Sequence, residues 1–192
     1  MSIVSASTMA TTDQELAERH RYGDPEAFEE LYDRFGTMVY NLALRMTGKP
    51  EDAADLCQDI FLKIYRHLGT FHGRSSLRTW VYRVAMNCCH SRFRRQRSWR
   101  SRLLVDAVEI LERVPDERRS PEDNALAQGT AELVTKALSR QPGVYRQAVV
   151  LRDIEGLSYE EIGEVLGIRL GTVRPRIARG RDRLRALLEE SS

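Results

Sequence analysis

The stretch from Leu157 to Leu188 constrains the fold most, because it predicts two helices separated by a tight turn. Ser158 can cap a short helix, and Glu161 three residues later completes a capping box. Gly167 ends that helix, and Thr172 is placed to cap a longer one. Apolar residues then recur every three or four positions, which predicts one buried stripe: Val173, Ile177, Gly180, Leu184 and Leu187. This is the pattern of a helix-turn-helix.

The outward face of the second helix is rich in arginine. A helix in a DNA major groove needs donors near its N-terminal end for base edges, and cations at its flanks for phosphates. A lone arginine-rich helix is more often a solvated surface than a DNA-binding helix, but the capped helix and turn before it favour DNA binding. The candidate contacts on this face, its edges and its shoulders are Thr172, Arg174, Pro175, Arg176, Ala178, Arg179, Arg181 and Arg183.

The rest of the chain also shows helical rather than strand periodicity. The sequence predicts helices at about 13–22, 25–48, 51–68, 77–97, 120–140 and 142–154, with Ser75 or Ser76 capping the fourth and Gly129 interrupting the fifth. A length of 192 residues fits two small domains. We therefore expect an all-α fold of two helical bundles joined by a linker. The expected divisions are an N-terminal extension with a short helix at 1–23, a first bundle at 24–97, a linker at 98–120 and a second bundle at 121–192.

An acidic strip with one leucine lies on the outer face of the third predicted helix. Its residues recur at helical spacing, with one neighbour beside them: Asp55, Gln58, Asp59 and Leu62. A single exposed leucine is common on protein surfaces and by itself indicates nothing. Surrounded by carboxylates, it is also typical of a docking site for another protein.

The fourth predicted helix carries a polar strip that suits nucleic acid. Arg83, Asn87, His90 and Arg94 recur at helical spacing, with Trp80 and Tyr82 nearby and the loop GTFHGRS just before. Arginines bind phosphates, an amide reads a base edge, and aromatic rings stack on unpaired bases. The alternative, a solvated polar face with Trp80 in the core, has equal weight on these residues alone.

The sequence offers no basis for an enzyme, a metal site or a cofactor. No glycine-rich phosphate loop, nucleophile motif or paired carboxylates stand out. The histidines lack ligand-like spacing, and the cysteines match neither a zinc site nor a disulfide framework: His20, His67, His72, His90, Cys57, Cys88 and Cys89. Without a signal pattern or an apolar run long enough to span a membrane, the expected location is the cytoplasm, with no membrane insertion of its own.

The order of motifs resembles bacterial RNA polymerase sigma factors of the extracytoplasmic-function (ECF) type. The resemblance covers nearly everything from Asp24 to Leu188. Its strongest parts, in chain order, read DPEAFEELYDRF, EDAADLCQDIFLKIYRHLGTF, SSLRTWVYRVAMNCCHSRFRR and YRQAVVLRDIEGLSYEEIGEVLGIRLGTVRPRIARGRDRL. The resemblance implies a subunit that directs core polymerase to promoters and helps to open them.

The resemblance also assigns partners to the two bundles. The first, sigma domain 2, is expected to bind the polymerase β′ clamp and the minus-10 element, and the second, sigma domain 4, the minus-35 element and the β flap. By position, the acidic strip matches the clamp-binding helix, and Arg174, Arg176 and Arg179 match the minus-35 helix. The candidate minus-10 residues, in the loop that holds a flipped base and in the helix after it, are Phe71, His72, Arg74, Ser75, Trp80, Arg83, Asn87, His90 and Arg94.

Two departures bear on promoter choice. Pro175 stands where a serine is common in the family, and Arg169 and Leu170 replace the usual proline-containing turn. A first-turn proline would cost no intrahelical hydrogen bond. Control is expected from a separate anti-sigma protein. The alternative function is a dimeric helix-turn-helix regulator of duplex DNA, which needs neither a polymerase-binding strip nor aromatics that read single strands.

Overall fold

The computed structural model describes residues 12–103 and 125–190, and the side chains of 95–103 and 125–128 are not described. The elements are α1 (Asp13–Arg21), α2 (Pro25–Thr47), α3 (Pro50–His67), a 3-10 turn (Leu68–Thr70), α4 (Leu77–Leu103), α5 (Ala125–Arg140), α6 (Gly143–Val149), a π-turn (Val150–Ile154), α7 (Tyr159–Leu166) and α8 (Leu170–Glu189). No residue in the described ranges forms a strand, so the predicted all-α class is confirmed.

The first bundle begins with two well-capped helices. The Thr12 hydroxyl accepts from the Glu15 N–H at 3.2 Å, while the Glu15 carboxylate accepts from the Thr12 N–H at 2.9 Å. This hydrogen bond to the backbone lowers the pKa of Glu15. Asp24 caps α2 through the Glu26 N–H at 3.0 Å, and Gly48 ends α2 at φ 77°, a conformation that favours glycine.

A shared apolar core holds α2, α3 and α4 together. Helix α2 packs against both α3 and α4, and α1 closes one side of α2. The buried side chains follow the periodic stripes read from the sequence, among them Leu31, Phe35, Val39, Leu42, Met46, Ile60, Ile64 and Val81. Each such apolar side chain contributes about 1.5–3 kcal/mol when fully buried. The buried stripe of each helix determines which of its faces is exposed to solvent.

The predicted helix-turn-helix is present as α7 and α8. The Ser158 hydroxyl accepts from the Glu161 N–H at 3.1 Å, and the Glu161 carboxylate accepts from the Ser158 N–H at 2.8 Å. Gly167 ends α7 at φ 63°. Ile162, Val165, Val173 and Ile177 are buried, and so is Gly180. The capping box and the glycine turn are therefore confirmed, and so is the N-terminal part of the predicted stripe, whereas Leu184 and Leu187 are only half-buried.

Helix α8 starts earlier than the sequence indicated. Its first residue is Leu170, with Arg169 at the cap position and no side-chain capping bond, so the prediction of Thr172 as the cap is wrong. Pro175 consequently lies inside the helix, beyond the first turn. Because proline has no N–H, the Gly171 carbonyl loses its usual intrahelical donor, which corrects the expectation that Pro175 costs no hydrogen bond.

Other boundaries also differ from expectation. Helix α5 runs through Gly129 without a break, and α4 continues to Leu103, inside the predicted linker. The remainder of that linker and the expected start of α5 fall in 104–124, outside the described residues. Ser76 is the cap of α4, since its hydroxyl accepts from the Thr79 N–H at 3.1 Å. The predicted helix through Ile154 divides into α6 and the π-turn.

Candidate nucleic-acid interface

The acidic strip on α3 is exposed as the sequence indicated. Asp55, Gln58 and Asp59 face solvent, and the Leu62 residue is 49% exposed. Arg92 of α4 forms an ion pair with Asp52 at one edge of this helix, and its guanidinium lies 4.0 Å from the Asp55 carboxylate. The strip therefore combines an apolar side chain with carboxylates, and the negative charge of at least one carboxylate, Asp55, is partly offset by Arg92.

An aromatic groove adjoins the strip, and the sequence reasoning missed it. Its volume is about 500 Å³, and its lining includes Phe28, Tyr32, Tyr40, Leu62 and Tyr65. The three tyrosines are exposed. Tyr32 and Tyr40 lie on α2 outside its buried stripe. Two aromatic residues that do not follow the apolar period of the helix could have indicated the groove from the sequence. Exposed rings beside Leu62 make a larger apolar surface than one leucine.

The loop before α4 and the first turn of α4 each contribute one aromatic side chain that points inward. Phe71 and Trp80 are buried, with ring centroids 6.0 Å apart and an edge-to-face arrangement. With both rings buried, neither has a free face on which an unstacked base could stack. This favours the alternative interpretation of Trp80 as a core residue. His72 and Arg74 are exposed on the same loop, and Ser75 is half-buried.

The polar strip of α4 is only partly free. Asn87, His90 and Arg94 are exposed and Arg83 is half-buried. The Arg83 guanidinium lies 3.4 Å from the Glu164 carboxylate of α7, and His90 Nε2 lies 2.8 Å from Gln147 Oε1 of α6.

Tyr82, expected near the strip as an aromatic for bases, is fully buried, and its hydroxyl donates to Glu155 at 2.6 Å. Burial, with this bond to a carboxylate, raises the pKa of Tyr82. It is therefore a core residue.

The outward face of α8 is open. Thr172, Arg174, Pro175, Ala178, Arg179, Arg181 and Arg183 are exposed, and Arg176 is half-buried. Two arginines stack on rings of neighbouring elements, Arg174 at 5.3 Å from the Tyr159 centroid and Arg183 at 5.4 Å from that of Tyr145.

Arg181 differs from the other arginines of α8, because it makes a two-bond ion pair with Asp153 at 2.5 and 2.9 Å. The bond to Asp153 raises the pKa of Arg181. Its charge is thereby partly offset.

The histidines and cysteines form no metal site within the described residues. Cys88 and Cys89 are buried and Cys57 is half-buried, and burial raises the pKa of Cys89 to about 12. His20 Nε2 bonds the Tyr65 carbonyl oxygen at 2.8 Å. Among the helices of the described ranges, none is long and apolar enough to cross a membrane.

An exposed arginine-rich helix within a capped helix-turn-helix places this chain among the DNA-binding proteins. Comparison with known proteins identifies the family. Residues 31–99 match Sigma-70 region 2, and residues 131–184 match Sigma-70, region 4. The chain is 35% identical to the RNA polymerase sigma-H factor of Pseudomonas aeruginosa, over 92% of this chain and 94% of that protein. It is also 35% identical to the ECF RNA polymerase sigma-E factor of Escherichia coli, over 89% and 91% respectively.

Further comparisons agree with this placement. The ECF RNA polymerase sigma factor SigE of Mycolicibacterium smegmatis is 40% identical over 86% of this chain, which spans 63% of that relative's length. CnrH in complex with the cytosolic domain of CnrY superimposes with a TM-score of 0.67 at 26% identity, covering 94% of this chain and 99% of that one. The sigma factor RpoE with the anti-sigma factor NepR from Bartonella quintana gives 0.65 at 25% identity, covering 84% and 96%.

The chain belongs to the ECF sigma factors of RNA polymerase, which are alternative transcription-initiation factors.

Proposed function

We propose that the acidic strip of α3 and the adjoining aromatic groove dock on the β′ clamp of core RNA polymerase. The exposure of Leu62 among carboxylates carries this proposal, because an apolar side chain in that setting gains free energy only when another surface covers it. The exposed rings of Tyr32 and Tyr65 extend the apolar area next to it. The flanking carboxylates would fix the orientation of docking.

Replacing Leu62 by aspartate tests the docking surface. Leu62→Asp should weaken binding to core polymerase by roughly 30-fold, about 2 kcal/mol, as expected when a hot-spot side chain is lost. Tyr22→Asp is the matched control, since Tyr22, at the end of α1 beside the first bundle, is 86% exposed and lies outside the strip. Affinity would be measured by titrating labelled core polymerase. Equal affinities of Leu62→Asp and the control would contradict the assignment.

The first bundle, residues 24–97, would then act as sigma domain 2 and bind the minus-10 element through the loop and α4. Exposed His72, Arg74, Asn87 and Arg94 support this role, because they offer donors to phosphates and base edges. Base capture between Phe71 and Trp80 would require these buried rings to become accessible in the holoenzyme.

The holoenzyme should therefore bind a single-stranded non-template minus-10 oligonucleotide more tightly than the same sequence as a duplex. Fluorescence anisotropy with both forms measures the ratio. Equal affinities would instead favour the duplex-binding regulator.

The second bundle, residues 121–192, would act as sigma domain 4, with 98–120 as the linker. Its helix α8 would read the minus-35 element through Arg174, Arg176 and Arg179, and the bundle would contact the β flap. The open outward face of α8 supports this role. An anti-sigma protein is the proposed regulator, since both similar solved structures hold a sigma factor or its relative with a bound partner.

A further inference from the structure

Helix α1 is bonded to both ends of the loop 71–76, which precedes α4. At the C-terminal end of α1, Arg21 Nε donates to the carbonyl oxygen of Gly69, two residues before the loop, at 2.9 Å. At the N-terminal end of α1, Asp13 Oδ2 accepts from the N–H of Leu77, the residue after the loop, at 2.8 Å. The match to Sigma-70 region 2 begins at residue 31, so α1 lies outside it.

The bond to Leu77 makes Asp13 a second cap for α4. The first four N–H groups of an α-helix have no partner within the helix. The Ser76 hydroxyl accepts from the Thr79 N–H at 3.1 Å, and Asp13 accepts from that of Leu77, 64 residues away in the sequence. A carboxylate is favoured there by the partial positive charge at the start of a helix. A residue of α1 therefore helps to fix where the loop ends and α4 begins.

The middle of the loop also contacts α1. Gly73 has a φ of 66°, in the left-handed region that favours glycine. A Cβ at Gly73 would lie 3.5 Å from Gln14 Cδ, so the Gln14 side chain lies against this turn. Gln14 follows Asp13 directly in the sequence. Two neighbouring side chains of α1 therefore support the loop at two points.

Ion pairs fix α1 to α2. Arg34 of α2 donates to Asp13 Oδ1 at 3.3 Å and to Glu30 of its own helix at 2.7 Å. Arg19 of α1 donates to the other oxygen of Glu30 at 2.9 Å. Leu16, on the apolar side of α1, is fully buried. Arg34 thus holds one oxygen of Asp13 while the other caps α4.

We propose that Asp13 is a positioning residue for minus-10 recognition, which acts by holding the loop 71–76 and the start of α4 in the arrangement that reads the promoter. The loop carries three of the candidate minus-10 contacts, His72, Arg74 and Ser75. Groups that recognise a ligand must be held within about 0.5 Å of the productive geometry, which an exposed loop achieves only with support. The effect on promoter choice rests on the proposed function, whereas the support of the loop by α1 does not.

Amide hydrogen exchange in the free chain, followed by NMR, tests the support itself. In Asp13→Ala the Leu77 amide loses its acceptor and should exchange about tenfold faster or more, and the amides of residues 72–75 should also exchange faster. Asp13→Asn retains a side-chain oxygen that can accept from Leu77, so it should restore most of the protection. Glu18→Ala is the matched control, since Glu18 is an exposed carboxylate of the same helix, and it should leave exchange unchanged.

Transcription by the holoenzyme from single-base variants of the minus-10 and minus-35 elements tests the role in recognition. Asp13→Ala should lower discrimination among minus-10 variants by about fivefold, the lower end of what one base contact provides. Discrimination among minus-35 variants and affinity for core polymerase should not change, and Asp13→Asn should recover most of the minus-10 discrimination. A merely structural role would instead lower transcription from every promoter by the same factor.

Unchanged exchange of the Leu77 amide in Asp13→Ala would overturn the support of the loop, and unchanged minus-10 discrimination would overturn the positioning role. Asp13→Asn as impaired as Asp13→Ala would overturn the capping bond as the cause. If circular dichroism shows that Asp13→Ala is unfolded, Gln14→Ala is measured instead, and it should raise exchange in the loop and lower minus-10 discrimination. Failure of the proposed function is distinguishable, because then the unaltered chain would not discriminate among minus-10 variants, while the exchange results would stand.

Discussion

The arginines of α8 fall into groups according to what each side chain touches. Arg179 is exposed, Arg174 lies over the Tyr159 ring, and Arg183 lies over the ring of Tyr145. Arg181 is paired with Asp153, so we expect it to contribute less to phosphate binding than an unpaired arginine would. We therefore expect the arginines of α8 to make different contacts with DNA.

Arg174→Ala and Arg179→Ala should relax base preference in the minus-35 element, whereas Arg183→Ala should weaken all promoters alike. The first two lie near the N-terminal half of α8, where a guanine contact is worth about 1–3 kcal/mol of discrimination. Arg183 lies further along, so losing it should lower the salt slope by about one unit. Transcription from single-base minus-35 variants at two salt concentrations separates these effects. Uniform losses in Arg174→Ala and Arg179→Ala would mean that α8 only anchors the backbone.

At the scale of helices, periodicity and capping were sufficient to predict most elements. The Ser158 capping box, the Gly167 turn and the first three buried positions of the α8 stripe depend on residues close in sequence, and all are present. The errors arose where local signals compete. Thr172 is a good cap residue, yet the helix begins at Leu170, and Gly129 does not break α5. Each such preference is worth only about 1 kcal/mol, so a single cap residue or glycine does not by itself determine where a helix begins or ends.

Close packing of α8 on α6 depends on a glycine. A Cβ at Gly180 would lie 2.5 Å from Val149 Cγ2 and 3.1 Å from the Tyr145 carbonyl oxygen. Gly180→Ala should therefore lower the free energy of unfolding by about 1–3 kcal/mol, although alanine is the better helix former. The corresponding fall in Tm is about 2–4 °C for each kcal/mol. Thermal unfolding monitored by circular dichroism measures it.

Gly171 of the same helix is the control. A Cβ there meets no atom within 4 Å, so Gly171→Ala should stabilise the chain by about 0.5–1 kcal/mol. Opposite signs for the two substitutions are expected. If Gly180→Ala also raised Tm, α6 and α8 would not be packed as closely as described.

At the scale of the whole molecule, the contacts between bundles were beyond prediction from the sequence. Arg146 and Glu155 are of residue types usual on surfaces, yet both side chains are largely buried, because each bonds a residue of α2 that lies 100 or more positions away in the sequence. Trp80 was left undecided between base stacking and the core, since helical spacing alone places it at a boundary. The groove beside Leu62 also needs two helices to form, and only one of them was recognised as a docking surface.

Run-off transcription with core RNA polymerase, with and without this chain, tests the central claim most directly. A sigma factor should give promoter-specific transcripts only when it is present, and these should diminish with Leu62→Asp but not with Tyr22→Asp. Transcripts that are independent of the chain, or a chain that binds duplex promoter DNA as a dimer without supporting initiation, would contradict the account.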